Sequence, residues 1–386
     1  MAKTSYVPSP ARIKVVGLGG AGCNAVTRMV REQIRGVDFI GINTDIQALA
    51  ITEAPTRIQV GEKTTRGLGA GGDHIKGRKA AEENREDIRQ ALTDADMVFI
   101  AVGMGGGTGT GTAPVVAELA KQSGALTIAV VTRPFTFEGI HRRQVAEEGI
   151  NDLIDKVDTL IIIPNDRLLD LCDRKSGVDV AFRLADDVLF HGVQAIAEVV
   201  TVPGLVNLDF ADVRAVMQDA GPAWMSIGRS SDQNRAVEAA KVALTSPLLD
   251  VSLAGARGVL FNIVGGETLT LFEVNDAAAV IGKAVDPEAN IIFGVRLDPI
   301  MGNEVQLTLI ATGFAGGGVV SGAAREKELT QLLKGLKTER ELDIPTFMRQ
   351  PQRVPVRREE TLVKPTPTAK VAFPKSAFLP KPQTRG

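Results

Sequence analysis

The chain has few of the residues that build disulfide or zinc frameworks. Its 386 residues include only two cysteines, Cys23 and Cys172, and three histidines. Two cysteines cannot form a disulfide framework, and they indicate a reducing compartment. Because His74, His141 and His191 lack metal-ligand spacing, we predict that each is an ordinary surface or core residue and that the protein has no zinc site.

Long apolar runs and a strong net charge are also missing. No apolar stretch reaches the length of about 18 residues that a membrane span needs, and the amino terminus lacks an apolar signal core. We therefore expect a soluble cytoplasmic protein. The net charge of -2 gives no nucleic-acid signature, so we expect no nucleic-acid partner. Residues 321–386 hold 14 Lys and Arg against 7 Asp and Glu, a charge of +7, which leaves -9 for residues 1–320.

The most informative stretch of the chain is residues 98–120. An apolar run over 97–102 predicts a buried strand. Five glycines and two threonines then lie between Gly105 and Gly111. A helix is predicted to begin near Pro114, since proline is well tolerated in a first helical turn. A strand, a glycine-rich turn and a helix start together predict an anion site, because backbone N–H groups and the helix dipole favour phosphate.

A second glycine-rich turn lies earlier in the chain. Gly17, Gly19 and Gly22 follow a predicted strand and fit the dinucleotide fingerprint, so a nicotinamide-dependent oxidoreductase is one alternative. The richer turn about 85 residues later argues against it, as does the absence of an obvious hydride-transfer pair. Two phosphate cradles suit a triphosphate. Without a Walker A lysine, phosphate charge must be met by backbone N–H groups, helix dipoles and a metal ion.

Alternating strands and helices up to residue 164 predict a doubly wound parallel sheet with ligands at the carboxyl ends of its strands. A long helical pattern covers residues 178–202. The chain then predicts a smaller mixed α/β domain with strands near 223–228, 257–265, 290–297 and 304–312. Beyond residue 349, proline and basic residues predominate, and we predict disorder.

Two sets of charged residues outside the glycine turns are further candidates for functional residues. The loop at 207–212 carries Asp209 and Asp212, which could polarise a water molecule or hold a cation. The alternative is a solvated turn in which Asp212 caps the next helix. Glu138 and Arg142 stand at helical spacing, and an ordinary surface ion pair is the alternative for them.

At this point the chain resembles the FtsZ family, the bacterial cell-division relatives of tubulin. The resemblance covers residues 12–318 and is carried, in family order, by nine motifs. They are GGAGCNA from Gly19, GINTDIQAL from Gly41, RGLGAGGD from Arg66, GMGGGTGTGTAP from Gly103, TRPFTFEG from Thr132, IPNDRLL from Ile163, FRLADDVL from Phe182, NLDFADVR from Asn207 and LFEVNDAA from Leu271.

The resemblance implies a tubulin/FtsZ-like α/β fold: a Rossmann-like GTPase domain, a long core helix and a smaller mixed α/β domain. It implies GTP or GDP with Mg2+ as ligands. Phosphate-loop contacts are implied for Gly20, Ala21, Gly22, Cys23 and Asn24. The main triphosphate cradle is implied for Gly107, Thr108 and Gly109, with Gly105, Gly106, Thr110 and Gly111 shaping it. Glu138 and Arg142 resemble ribose-side contacts, Asn165, Phe182 and Asp186 resemble the guanine pocket, and Asn207, Asp209 and Asp212 resemble the hydrolysis loop.

The length of the predicted core helix bears on these implied roles. About sixteen helical residues separate Asp186 from the end of that helix, which is roughly 24 Å. If Asp209 is catalytic, we expect it to serve the nucleotide of another molecule, and head-to-tail stacking then makes a filament. A tubulin relative that polymerises without hydrolysis remains an alternative.

The resemblance also implies a domain organisation and partners. We expect a flexible arm at 1–11, a GTP-binding domain at 12–177, the core helix at 178–202, an activating domain at 203–318, and a linker with a basic tail at 319–386. A partner-binding peptide is expected near 342–350, where membrane-tethering and regulatory division proteins would bind. The implied location is the division site at mid-cell.

Overall fold

The computed structural model describes residues 11–169, 177–202, 204–206, 209–246 and 253–314. The chain divides into two units, Met1–Val319 and Val320–Gly386, and every described residue belongs to the first. Several predicted parts lie outside the described residues. They are residues 1–10 of the arm predicted at 1–11, the tail predicted at 319–386 with its partner-binding peptide near 342–350, and the residues Cys172 and Asn207.

One sheet of ten strands runs through the described residues, in the order β3-β2-β1-β4-β5-β6-β7-β10-β8-β9. Its first seven strands are parallel, β10 is antiparallel to both β7 and β8, and β9 is parallel to β8. The strands are β1 (Ile13–Leu18), β2 (Val37–Asn43), β3 (Thr56–Gln59), β4 (Met97–Gly103), β5 (Leu126–Arg133), β6 (Thr159–Pro164), β7 (Gly221–Ser230), β8 (Gly258–Gly265), β9 (Asn290–Leu297) and β10 (Val305–Thr312).

Helices follow most of the strands. In the described residues they are α1 (Gly19–Arg31), α2 (Ile46–Ala50), α3 (Glu62–Thr65), α4 (His74–Glu83), α5 (Arg85–Leu92), α6 (Gly107–Gln122), α7 (Ile140–Ile154), α8 (Asn165–Leu168), α9 (Val178–Thr201), α10 (Phe210–Met217), α11 (Arg235–Leu244) and α12 (Leu271–Gly282). None of the described helices combines the length and hydropathy of a membrane span.

The parallel part of the sheet is buried on both faces. Val98, Ile100 and Val102 of β4 join one apolar core with residues of α4 to α7. Phe99 points to the other face and is also fully buried, and there α1 packs on β4 and α9 on β5. Because neighbouring residues of a strand point to opposite faces, a sheet covered by helices on both sides produces the continuous apolar run that the sequence shows.

The structure corrects the prediction for the start of α6. This helix begins at Gly107, so Pro114 lies inside it rather than in its first turn, and the Gly-Thr repeat is helical. Glycine has a poor intrinsic helix propensity. Here the close packing of α6 against α4 outweighs this low propensity, because a Cβ on Gly111 would lie 2.2 Å from the His74 carbonyl oxygen of α4.

Other helix limits also differ from the sequence-based prediction. The sequence of residues 76–92 is helical in character throughout and predicts a single helix. In the structure this stretch is interrupted at Asn84, whose Oδ1 accepts a hydrogen bond from the backbone N–H of Gly61 at 2.9 Å. The sequence after β1 likewise predicts a helix that reaches Arg35, whereas α1 ends at Arg31. The short elements β3, α2 and α3 were not predicted.

The contact between α4 and α6 gives a stability prediction. A Cβ on Gly77 would lie 2.2 Å from the Gly107 carbonyl oxygen, whereas a Cβ on Gly255 would meet no atom within 4 Å. We expect Gly77→Ala to lower the free energy of unfolding by about 1–3 kcal/mol, because the two helices must separate. Urea unfolding measures this value, with Gly255→Ala as the control; a Gly77→Ala protein as stable as the control would contradict the packing.

Candidate nucleotide-binding site

A cleft of about 280 Å³ opens at the carboxyl ends of β1, β4, β5 and β6. Strand β1 has β2 on one side and β4 on the other, so the chain reverses its winding direction between β1 and β4. Loops separate at such a switch point, and open α/β sheets bind ligands there. The cleft is therefore where the sheet topology places a ligand site.

Two helices begin at this cleft without caps. The N-cap positions of α1 and α6 are Leu18 and Gly106, and neither makes a side-chain capping bond. Neither helix has an acidic residue in its first turn. The first N–H groups of a helix have no partner within the helix, and the helix dipole places positive charge at this end. Two such ends form a strong site for an anion.

Glycine allows the two helix ends to approach each other. Gly19 has a φ of +67°, and a Cβ there would lie 2.8 Å from the backbone nitrogen of Gly109. By contrast, a Cβ on Gly20 or Gly106 would meet no protein atom within 4 Å. Gly20 and Gly106 both line the cleft. Their missing side chains therefore leave room for a ligand.

Two threonines hold the start of α6 in place. The Thr108 hydroxyl lies 2.6 Å from the hydroxyl of Thr44, which follows β2. The Thr110 hydroxyl accepts a hydrogen bond from the backbone N–H of Gly105 at 2.9 Å. Gly105 itself has a φ of +96°, a conformation that favours glycine. Thr110 thus fixes the turn that leads from β4 into α6.

The other end of the cleft combines an amide, an aromatic ring and a carboxylate. Asn165, Phe182 and Asp186 all line it. Asn165 is buried, and its Oδ1 has no hydrogen-bond partner among the described residues. A buried acceptor without a partner costs free energy, so this atom fits a donor supplied by a ligand. The half-exposed Phe182 ring offers an apolar face at the same place.

An ion pair lies between the two ends. Arg142 donates to Glu138 at 2.6 Å, and the other Glu138 oxygen accepts from the backbone N–H of Phe135 at 2.9 Å. The sequence alone allowed an ordinary surface pair, but both residues line the cleft and the Glu138 side chain is largely buried.

Burial changes the pKa of the carboxyl groups of Asp186 and Asp187 at this end of the cleft. It raises the pKa of Asp186 to about 7, and the neighbouring charge of Asp187 adds to this, whereas Arg28 opposes it. Burial also raises the pKa of Asp187 to about 6, against the attraction of Arg28. A carboxylic acid with a raised pKa in a cleft is a candidate ligand group.

Six of the residues with implied phosphate roles do not line the cleft, among them Cys23. Its buried thiol points to the sheet, with Sγ 3.7 Å from the Gly17 carbonyl oxygen. A Cβ on Gly22 would lie 2.3 Å from the Ala101 carbonyl oxygen, so Gly22 serves helix–sheet packing. The six are Gly22, Cys23, Asn24, Gly105, Thr110 and Gly111.

The acidic pair of the 207–212 loop lies elsewhere. Asp209 is the N-cap of α10 and accepts from the Asp212 backbone N–H at 2.8 Å, and Asp212 accepts from that of Asp209 at 3.4 Å. The sequence-based alternative made Asp212 the cap, whereas in the structure Asp209 is the N-cap and Asp212 completes the capping box from the first turn. Both carboxylates are exposed.

Helix α10 is attached to the edge of the sheet opposite the cleft. Arg214 donates to the carbonyl of Asp96, which precedes β4, and the Met217 carbonyl accepts from Thr159 at the start of β6. These are the amino ends of strands whose carboxyl ends form the cleft. Strand β4 has seven residues, or about 20 Å. The structure therefore does not bring the acidic pair to the cleft.

Sequence reasoning missed several residues of the site. Several belong to β5 and α9, which only the sheet order brings to the cleft, whereas Thr44 could have been found from its place directly after a predicted strand. The missed residues are Thr44, which bonds to Thr108, and Leu18, Gly103, Met104, Thr132, Pro134, Ala185 and Leu189, which line the cleft. Among the described residues, no group of three or more His, Cys, Asp or Glu could hold a metal ion.

Two family models match the chain. The Tubulin/FtsZ family GTPase domain matches residues 12–173, and the FtsZ family C-terminal domain matches residues 221–315.

Solved structures of FtsZ and of a related protein are also similar to this chain. An empty FtsZ dimer from M. jannaschii is 48% identical with a TM-score of 0.76, over 78% of this chain and 88% of that one. A mutant FtsZ from M. jannaschii is 48% identical with a TM-score of 0.77, over 79% and 91%. CetZ1 from Haloferax volcanii, a GDP-bound monomer, is 20% identical with a TM-score of 0.68 over 84% and 99%, and shows the fold alone.

The open space at Gly106 gives a binding prediction. Its backbone angles, φ -90° and ψ 166°, suit alanine, and the added methyl group would project into free space. We expect Gly106→Ala to keep the thermal stability of the nucleotide-free protein and to weaken nucleotide binding by about tenfold or more, about 1.4 kcal/mol. Fluorescent nucleotide titration measures the dissociation constant, with Gly255→Ala as control. An unchanged constant would place the anion elsewhere.

The raised pKa of Asp186 gives a pH prediction. A carboxyl group whose folded-state pKa is raised favours folding below its unfolded pKa, about 4, and loses this contribution as pH rises through about 7. We expect Asp186→Asn to stabilise the nucleotide-free protein by about 1–4 kcal/mol at pH 8 and not at pH 4. Urea unfolding at both pH values, with the exposed Asp179→Asn as control, measures this. Equal gains at both pH values would contradict the buried charge.

Proposed function

The chain belongs to the Tubulin/FtsZ family of GTPases, and we propose that its GTP is hydrolysed only where a second copy of the chain completes the site. The family makes it a GTPase of the cell-division cytoskeleton. The observation that carries the proposal is the separation of the nucleotide cleft from the acidic pair on α10.

The uncapped ends of α1 and α6 hold the phosphates in this proposal. Gly20 and Ala21 contribute from one helix, and Gly106, Gly107 and Gly109 from the other. Their N–H groups supply donors without a lysine. Because the described residues offer no carboxylate cluster, a Mg2+ ion would be held mainly by phosphate oxygens and water, which suits its reluctance to lose water. Magnesium would neutralise phosphate charge.

The opposite end of the cleft would hold the nucleoside. Guanine has an N1–H and an amino group side by side, and an ionised Asp186 can accept from both. Adenine offers no such pair. Phe182 supplies a face for stacking, and Asn165 Oδ1 lacks a partner that a ligand donor can provide. The Glu138–Arg142 pair would contact the ribose.

The acidic pair would act on the nucleotide of a neighbouring copy. From Asp186 to the end of α9 the helix runs about 22 Å toward the edge where α10 begins. Asp209 and Asp212, with Asn207, would orient and deprotonate the attacking water when α10 of one copy covers the cleft of the next. Such a contact joins two different surfaces and does not close, so it makes a filament.

Exposed apolar side chains support this assembly at both ends. Near the cleft, Leu68, Phe137 and Ile140 are exposed. We call a second group, Leu205, Leu271, Phe272 and Ile300, the distal patch; each is more than two-thirds exposed. Its loops adjoin, since the Leu205 N–H donates to Val295 of β9 and a Cβ on Gly266 would lie 1.9 Å from the Gly302 carbonyl oxygen.

The proposed function also covers the assembly cycle, the cellular location, the partners and the domain limits of the chain. GTP would favour the head-to-tail contact and hydrolysis would weaken it. The protein would act in the cytoplasm at mid-cell, and the basic tail would bind membrane-tethering and regulatory division proteins. The domain limits at 12–177, 178–202, 203–318 and 319–386 belong to the proposal. Within the described residues, antiparallel pairing is confined to strands of the proposed activating domain, where β10 pairs with β7 and β8, whereas β1 to β6 pair in parallel.

Mixing two inactive variants tests the shared site. Asp209→Asn and Asp212→Asn remove a carboxylate while asparagine retains the ability to cap α10. We expect each to bind GTP normally and to lose turnover by about 100-fold or more. The double variant Gly20→Ala/Gly106→Ala should lack GTP but keep the acidic pair. An equal mixture should recover up to about a quarter of the wild-type rate, because random pairing makes that share of contacts complete.

Sedimentation provides the control for the mixing test. Both variants must be found in the same polymer, and phosphate release is then compared with that of each variant alone. Mixtures that assemble together without recovering turnover would contradict a site shared between copies.

A further inference from the structure

An ion pair joins α1, which begins at the phosphate end of the cleft, to α9, which carries Asp186 at the base end. Arg28 of α1 pairs through one terminal nitrogen with Oδ1 of Asp187 on α9. The Asp187 side chain is only 8% exposed, and that of Arg28 is 28% exposed. Asp187 is the immediate neighbour of Asp186, which lines the cleft. Neither member of the ion pair lines the cleft itself.

Two adjacent buried carboxylates oppose each other's ionisation. An ionised Asp187 disfavours a charge on Asp186, and a partner that neutralises Asp187 relieves this effect. Arg28 is such a partner, and its own charge also favours the ionised form of Asp186. Arginine suits this task because its guanidinium stays charged at every relevant pH.

The ionisation state of Asp186 decides which base it can bind. As a carboxylate it only accepts hydrogen bonds, which matches the two neighbouring donors of guanine. Once protonated, one of its oxygens becomes a donor and faces a donor on the base. The charged groups around the two carboxylates are Arg28 on α1, Glu32 directly after α1, Arg183 on α9, and the Glu138–Arg142 pair across the cleft.

We propose that Arg28 is a positioning residue for guanine selectivity: by pairing with Asp187 it keeps the neighbouring Asp186 ionised and ties the base-binding helix to the phosphate-binding helix. This inference rests on the proposed contact of Asp186 with guanine. Arg28 acts through Asp187 and touches no part of the nucleotide in this account.

The test measures base selectivity as a function of pH. Dissociation constants for GDP and IDP are determined between pH 5.5 and 9 at protein concentrations too low for assembly. IDP has the same phosphates but lacks the guanine amino group, so the ratio of the two constants cancels phosphate titration. We expect the ratio to favour GDP at high pH and to fall as Asp186 gains a proton, with a midpoint that reports its ionisation.

Three variants should move this midpoint in different directions. Arg28→Gln should raise it by about one pH unit, and Asp187→Asn should lower it, since each changes one charge beside Asp186. Arg28→Lys should keep it near the wild-type value, because the positive charge remains. The double variant Arg28→Gln/Asp187→Asn should lie between the two single variants.

The outcomes separate this inference from the function on which it rests. If Asp186→Asn keeps the wild-type preference for GDP and its pH dependence, the guanine contact of Asp186 is wrong, and the role of Arg28 falls with it. If Asp186→Asn abolishes the preference but Arg28→Gln leaves the midpoint unchanged, the role of Arg28 alone is overturned. A purely structural Arg28 would weaken GDP and IDP binding equally at every pH, which would also overturn it.

Discussion

Two helix amino ends without caps, brought together at one edge of a parallel sheet, are the constraint on which the rest of this structure depends. The partial positive charge at the amino ends of α1 and α6 is not met by any capping side chain, so the site formed by these ends suits an anion. Glycine is required for two distinct reasons. At Gly19 it permits close approach, and at Gly20 and Gly106 it leaves open space. Backbone geometry alone therefore builds a site that suits a phosphate group.

The same arrangement separates binding from hydrolysis. Helix α9 carries Asp186 near its start and leads to the opposite edge of the sheet, where Asp209 begins α10. The acidic residues that could activate water are therefore on the far side of the molecule that binds the nucleotide. In the proposed function a filament is a requirement of catalysis, because one copy carries the cleft and the acidic pair at opposite ends of the parallel strands. Nucleotide turnover would then be coupled to assembly.

Whether an element of the structure could be predicted from the sequence depends on which interactions form that element. Buried strands such as β4 were predictable because a sheet covered on both faces requires a continuous apolar run. The start of α6 was not, because tertiary packing overrides the low helix propensity of Gly107 and Gly109. The break at Asn84 depends on a bond to Gly61, 23 residues away. Likewise, the contact between Thr44 and Thr108 can be recognised only when the order of the strands in the sheet is known. The orientation of the Cys23 thiol toward the sheet can be recognised only when α1 is known to begin at Gly19.

The measurement that tests the shared site most directly is the rate of phosphate release from GTP per molecule of protein, across a wide range of protein concentrations with Mg2+ present. The account predicts almost no turnover at low concentration and a steep rise above a threshold that coincides with assembly seen by light scattering. A rate per molecule that stays constant from well below this threshold to well above it would contradict the account, because one copy would then contain a complete catalytic site.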